Sequence, residues 1–308
     1  MDGSEALNRK DRLRRSLLFV PGSAPARFER AREAGADTVL FDLEDAVAPG
    51  EKTRAREQVA AALRCGGFGE TEVAVRVNAP STPYFAVDLE AVVAAGARAV
   101  MLPKAESAEV LRSVADTLDG VERRLGIGAG HTVRILALVE TAAGLVHAVA
   151  VAQATPRVDA LCFGHVDFAR DMQLDEPDAS AGVIHHARCA LAIAARAGRV
   201  APIDTVCLAV RDEDAFRADV ARGMQLGFDG KLCIHPRQVA IANEVYTPAP
   251  ARIARAQRVV EAWQRAGTAG QGVFTLDGMM VDAPVVAAEE RVLARARRAG
   301  VLIDSGDA

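Results

Sequence analysis

In Thr38-Val39-Leu40-Phe41-Asp42-Leu43-Glu44-Asp45 a short β-branched and aromatic run closes on three carboxylates. A run this brief and continuous, without polar residues at alternate positions, reads as a strand buried on both faces, as in a parallel sheet. Working outward, comparable runs begin near Ser16, Val73, Ala99, Arg134, Val158, Ile203 and Asp229, making eight predicted strands. Their starts lie 22 to 45 residues apart, room each time for a return helix, and the Ala/Arg/Glu-rich stretches 51–64 and 107–125 fill two of the gaps. Eight such βα units predict a TIM (β/α)8 barrel. A doubly wound sheet is the alternative, disfavoured because no Gly-x-Gly-x-x-Gly follows the first run.

The barrel is expected over 1–248, leaving 249–308 as a C-terminal helical extension that acts as a lid on a neighbouring subunit. In it we expect a helix at 251–266, a glycine-rich segment (Gly267, Gly270, Gly272), a connector from Phe274 to Val281 and a second helix from about Pro284.

Composition narrows the function. Half of the 308 residues are hydrophobic but only 4% are aromatic, which suits helices packed on buried strands. With 41 acidic against 37 basic residues there is no positive field to gather phosphates, so nucleic acid is excluded as the main partner. Cys65, Cys162, Cys189, Cys207 and Cys233 include no Cys-x-x-Cys pair, which argues against a disulfide framework or a zinc knuckle. Arg14, Arg15 and Leu17 to Val20 imitate an export signal, but Pro21-Gly22 ends the apolar run too soon. No run approaches a membrane span, and a cytoplasmic location is expected.

The polar residues gather at the predicted carboxyl ends of the strands: Asp42, Glu44 and Asp45 on the second, Arg76 and Asn78 on the third, Lys104 on the fourth, Glu140 on the fifth and Asp167 after the sixth. That end of a barrel carries the chemistry. Glu140 and Asp167 are one βα unit apart, so adjacent strands would present them to one cation, and two carboxylates without histidine favour Mg2+. A 2-oxo acid would complete the shell with its carboxylate and carbonyl. The competing reading is structural: Glu140 as a helix cap before Thr141-Ala142, Asp167 in a solvated loop with Asp171 and Asp175. Arg76 lies in the apolar run Val75-Arg76-Val77 and must meet an anion, either a substrate oxygen or Glu44 or Asp45. Asp45 could instead cap a helix or pair with Lys52 or Arg56, and Glu44 and Asp45 either touch substrate or orient Arg76. His185-His186 face different ways on a helix, His131 and His147 lack partners in the sequence, and His165 and His235 lie nearer the mouth. No Gly-x-Ser-x-Gly elbow or phosphate loop is present, which lowers hydrolase and kinase readings.

An ordered set of motifs resembles the citrate lyase beta-subunit-like branch of the HpcH/HpaI aldolase superfamily: Leu17 to Gly22, Asp42 to Val47, Lys52-x-x-Ala55-Arg56, Arg76-Val77-Asn78, Pro103 to Glu106, Val139-Glu140-Thr141, Phe163-Gly164-x-x-Asp167, Asp229-Gly230-Lys231, Ile234-His235-Pro236-x-Gln238 and Gly278 to Asp282 with Pro284. The resemblance implies a trimeric or hexameric TIM barrel that uses Mg2+ to cleave or form the carbon–carbon bond of a 3-hydroxyacyl thioester. It assigns metal ligation to Glu140 and Asp167, and substrate oxygen binding to Arg76. The Glu44–Asp45 pair counts among the candidate catalytic residues, and Pro103 and Lys104 among those binding substrate. Asp282 is assigned acid/base work, delivered by a neighbour's C-terminal segment; without the resemblance it reads as a helix N-cap before Pro284. The implied partners are an acyl-CoA or acyl-carrier thioester and a 2-oxo acid. Thr205 and Phe85 depart from the family's usual residues and leave the pocket shape open. Thioester hydrolysis at the same site, or a scaffold role in a citrate lyase-type complex, are the alternative functions.

Overall fold

The computed structural model describes residues 12–128, 132–175, 178–268 and 272–302; His131 and Gly270 lie outside them. The strands are β1 (Ser16–Pro21), β2 (Thr38–Asp42), β3 (Glu72–Arg76), β4 (Ala99–Leu102), β5 (Arg134–Val139), β6 (Val158–Phe163), β7 (Ala201–Asp204) and β8 (Gly230–Cys233). All pair in parallel with their sequence neighbours, and β8 returns to β1 to close the barrel. Helices α1 (Phe28–Arg32), α2 (Lys52–Cys65), α3 (Phe85–Ala94), α4 (Ala108–Arg124), α5 (Ala142–Val146), α6 (Ala148–Ala152), α7 (His165–Asp171), α8 (Gly182–Gly198), α9 (Glu213–Gln225) and α10 (Pro236–Tyr246) fill the crossovers. The longest gap between strand starts is explained by α7 and α8 sharing one crossover. Helices start where short polar side chains take up free backbone amides: Ser107 accepts from Val110 N, Thr141 from Gly144 N and Asp212 from Ala215 N.

Side chains on a strand alternate between two faces, and here both faces are buried. One set, including Leu17, Leu40, Ala74, Met101, Leu136, Leu138, Cys162, Ile203 and Leu232, fills the barrel interior. The other, including Val39, Phe41, Val75, Val100, Ala137 and Phe163, meets the helices. The same period of two carries chemistry to the mouth: Asp42 follows Leu40 by two residues, Arg76 follows Ala74, Glu140 follows Leu138 and Thr205 follows Ile203. The opposite end is closed by a buried charge cluster, in which Arg14 bonds Glu72 (2.6 and 2.8 Å) and Asp159 (2.7 Å) while Thr38 donates to Glu72. Paired in this way, its charges can be buried.

The chain clusters into two compact units, one of them Arg14–Tyr246 and the other including everything from Thr247 onward. The second holds α11 (Pro250–Thr268), β9 (Phe274–Leu276), β10 (Met279–Val281) and α12 (Ala283–Arg298). Ile253 and Ala256 of α11 pack on Val292, Leu293 and Ala296 of α12. The stretch expected as a connector is an antiparallel hairpin. Its turn residues Asp277 and Gly278 both have positive φ (50° and 77°), as a tight two-residue hairpin turn requires.

Candidate active site

Asp42 and Arg76, paired across β2 and β3, form the centre of the mouth. Arg76 donates from Nε to Asp42 Oδ1 (2.8 Å) and from Nη2 to Asp42 Oδ2 (2.6 Å), a bidentate clamp with its guanidinium 5.0 Å from the Phe19 ring centroid. Its Nη1 turns to the next two carboxylates, 3.2 Å from Glu44 Oε2 and 3.3 Å from Asp45 Oδ2. Burial works against the Arg76 charge, yet Asp42, Glu44 and Asp45 outweigh it and raise its proton affinity. The anion that the strand position demanded is therefore chiefly Asp42, which sequence reasoning placed at the mouth without a role. Asp45 meets Arg76 rather than Lys52 or Arg56.

Those two cations hold the surrounding loops. Lys52 Nζ donates to Leu43 O, Glu44 O and Asn78 Oδ1, each at 2.7 Å, and Arg56 Nε bonds Asp88 Oδ1 at 2.7 Å. Asp88 also takes the Asn78 side-chain amide at 2.6 Å. Burial lowers the Lys52 proton affinity despite Asp42 and Glu44 nearby.

Lys104 joins the Arg76 group to Glu140. Its left-handed backbone (φ 50°) presents its N–H to Glu140 Oε1 at 2.9 Å, while its Nζ lies 3.2 Å from Glu44 Oε1 and 3.8 Å from Glu140 Oε1. Pro103 is buried just past β4. Glu140 is almost wholly buried, and its carboxyl is pushed up to about 8 by burial first and then by Glu44, with Asp167 adding to the effect. Glu44 moves the same way, by burial, against Arg76 and Lys104. Its Oε2 is close to Arg76 but misaligned and makes no hydrogen bond. Gly164 leaves space for this arrangement, since a Cβ there would stand 2.8 Å from Glu140 Cβ and Oε2.

Asp167 lies in the first turn of α7, partly exposed, and bonds the solvent-exposed Arg170 at 2.6 Å. The cap of α5 is Thr141, so Glu140 is left for other work. Glu140 and Asp167 supply hard oxygen donors in a cluster short of positive charge, which fits a hard divalent cation. Among the described residues no three His, Cys, Asp or Glu side chains already stand grouped for a metal, so water and substrate oxygens would complete its shell. Asp282 belongs to the C-terminal unit, where it caps α12 by accepting from Val285 N at 3.1 Å.

His165, which sequence reasoning put near the mouth without a role, meets Thr205, which it noted only as a departure from the family's usual residue. Thr205 Oγ1 lies 2.6 Å from His165 Nδ1 and accepts from His165 N at 3.2 Å, with both residues buried. Burial, then Lys231, lowers the imidazole's proton affinity. Among the other histidines, His147 Nδ1 meets Glu106 O, His185 Nε2 lies near Cys189 Sγ, and His235 Nδ1 accepts from Arg237 N. Among the described residues no helix is long and apolar enough to cross a membrane.

Comparison with known proteins identifies the family. The family model for HpcH/HpaI aldolase/citrate lyase matches residues 15–236. Citrate lyase subunit beta of Leuconostoc mesenteroides subsp. cremoris is 39% identical over 296 residues, 96% of this chain and 97% of that protein. A (3S)-malyl-CoA thioesterase of Cereibacter sphaeroides is 37% identical over 283 residues, 92% of this chain and 94% of its own. Among solved structures, CitE from Mycobacterium tuberculosis in complex with magnesium, acetoacetate and coenzyme A superposes with a TM-score of 0.73 at 32% identity, covering 92% of this chain and 97% of that one. With its mouth of carboxylates, its closed barrel and relatives matched along nearly their full length, the chain belongs to the HpcH/HpaI aldolase/citrate lyase family.

Proposed function

We propose that the protein is a Mg2+-dependent carbon–carbon lyase acting on a malyl-, citramalyl- or citryl-type 3-hydroxyacyl thioester, releasing an acetyl-type thioester and a 2-oxo acid. The observation that carries this reading is the Glu140 carboxyl, buried at the mouth against the Lys104 N–H and raised by burial first and then by Glu44, beside the Arg76–Glu44 pair. The magnesium-bound CitE structures support the choice of cation.

Glu140 and Asp167 would hold Mg2+, which when bound supplies positive charge to oxygens of the oxo-acid half. Arg76, kept charged and aimed by Asp42, binds the carbinol oxygen and steadies charge developing on it. Glu44, whose proton affinity burial raises, would take the hydroxyl proton, with Asp45 balancing Arg76. Breaking the bond beside the carbinol carbon leaves its electron pair on the thioester's α-carbon as an enolate, and Asp282 of a neighbouring subunit returns a proton to that carbon. Lys104 and Pro103 line the approach on the β4 side. This assignment makes the active form a homo-oligomer, trimer or hexamer, with residues 249–308 as the exchanged lid and 1–248 as the catalytic domain.

Incubation with malyl-, citramalyl- and citryl-CoA, with and without Mg2+, tests the reading. Mg2+-dependent appearance of a 2-oxo acid is expected; intact substrate in every case refutes it. The Cereibacter relative favours a second reading, in which the same site ends in hydrolysis. Free thiol with an intact hydroxy acid identifies that outcome. A protein that turns over none of them and resides in a stable heteromeric complex without binding Mg2+ would be a scaffold subunit.

A further inference from the structure

We propose that His165 is a substrate-contacting residue, its Nε2–H donating to an oxygen of the 2-oxo acid half, with Thr205 as the positioning residue that fixes its ring. The inference rests on the lyase reading above and adds a ring N–H donor to a mouth rich in charges.

The support begins below the pair. Asp204, the last residue of β7, accepts from Arg188 at 2.6 and 3.0 Å and from Lys231 at 3.0 Å, and Asp219 bonds the same two cations at 3.0 and 2.7 Å. This buried network fixes the end of β7. Thr205 comes next, two residues beyond the interior residue Ile203, so strand alternation turns its side chain toward the barrel mouth.

The hydroxyl has one proton to give. Its oxygen accepts the His165 backbone N–H, and in the proposed arrangement the hydroxyl donates its proton to Nδ1 at 2.6 Å. The ring is then held as the Nε2–H tautomer, in an orientation set by two contacts to one hydroxyl. Among the described residues Nε2 has no hydrogen-bond partner, although only 6% of His165 is exposed. Nε2 is not among the fully buried unpartnered atoms, so this free donor keeps accessible surface from which it can reach a ligand oxygen.

Its location selects which part of the substrate supplies one. His165 is the first residue of α7, two before Asp167, and follows Gly164 packed against Glu140. Along the chain it adjoins Asp167 of the proposed metal pair, its ring lies in the field of the Lys231, Asp219, Asp204 and Arg188 network, and it is not on the β2–β3 side where Arg76 stands. The acceptor class is a carbonyl or carboxylate oxygen of a short 2-oxo acid.

The test is calorimetric titration of the Mg2+-loaded protein with pyruvate, glyoxylate and oxaloacetate, and separately with acetyl-CoA. For His165→Ala we expect 2-oxo acid affinity to fall roughly 3- to 10-fold, the loss of one neutral hydrogen bond, with Mg2+ and acetyl-CoA affinities unchanged. Thr205→Val should give a smaller loss of the same kind. His165→Gln, whose amide can stand near the Nε2 position, should recover part of it. Undiminished oxo-acid binding in both His165→Ala and Thr205→Val overturns the proposal. So does parallel weakening of Mg2+, acetyl-CoA and oxo acid, which would mark a purely structural pair. If His165→Ala fails to fold, Thr205→Val and His165→Gln decide by the same criteria. A wild-type protein that binds Mg2+ but none of the oxo acids refutes the lyase reading itself, a result separable from equal binding by wild type and variants.

Discussion

Replacing Glu140 by Gln should stabilise the metal-free protein at alkaline pH while abolishing its response to Mg2+. The folded carboxyl is moved from its ordinary 4.5 to about 8, with burial the largest cause and Glu44 the next. Its folded state therefore holds the proton more tightly than the unfolded chain does. That contribution to stability is complete below about pH 4.5, declines as pH rises and is gone above about pH 8. The limit of the effect is on the order of 5 kcal/mol. Relaxation around the ionised group reduces this, and a few kcal/mol is the working expectation, roughly 5–10 °C in Tm for a chain of this size. Gln keeps the carbonyl oxygen that accepts from Lys104 N and removes the charge that burial and Glu44 oppose. Thermal unfolding in EDTA from pH 5 to 9 is the assay. Wild type should lose stability across that range beyond what the variant loses, and Mg2+ should restore it in wild type alone. A Gln variant no more stable than wild type at pH 8.5, or one with the same pH slope, would refute the reasoning.

Gly164→Ala puts a methyl 2.8 Å from Glu140 Cβ and Oε2, so calorimetry and thermal melts should show weaker Mg2+ binding and a loss of about 1–3 kcal/mol. Asp42→Asn leaves the buried Arg76 clamp half-paired and should cost about 3 kcal/mol in urea unfolding, with kcat falling as Arg76 loses its aim. Asp282→Asn should bind Mg2+ and thioester normally but lose turnover. Mixed with Glu140→Gln under conditions of subunit exchange, it should regain partial activity, and verified mixed oligomers that stay inactive would remove Asp282 from a shared site.

The barrel was legible because all eight strands are buried on both faces and so are written as apolar runs. Five starts coincide with those observed, at Ser16, Thr38, Ala99, Arg134 and Val158; the strand expected from Val73 begins at Glu72, a charge that hydropathy excludes but Arg14 neutralises. The β9–β10 hairpin was missed because three-residue strands carry little alternation, although Asp277-Gly278 between apolar residues held its signal. At the mouth, strand ends identified which residues gather but not how they pair. Asp42 as the bidentate partner of Arg76, Lys104 spanning Glu44 and Glu140, and Thr205 locking His165 depend on register between strands far apart in sequence. Period and composition do not encode that register. The individual roles of Arg76, Glu44, Asp45, Pro103, Lys104, Glu140, Asp167 and Asp282 rest on the reaction we propose.

The central claim is that the carboxylates following β5 and β6 hold the catalytic metal, and direct Mg2+ titration of wild type, Glu140→Gln and Asp167→Asn tests it. Wild type should bind Mg2+, and each variant should lose affinity by about tenfold or more with its circular dichroism unchanged, because ligands at the mouth contribute little to the barrel core. Undiminished Mg2+ binding in both variants would contradict the account and move the metal to Glu44 or Asp45.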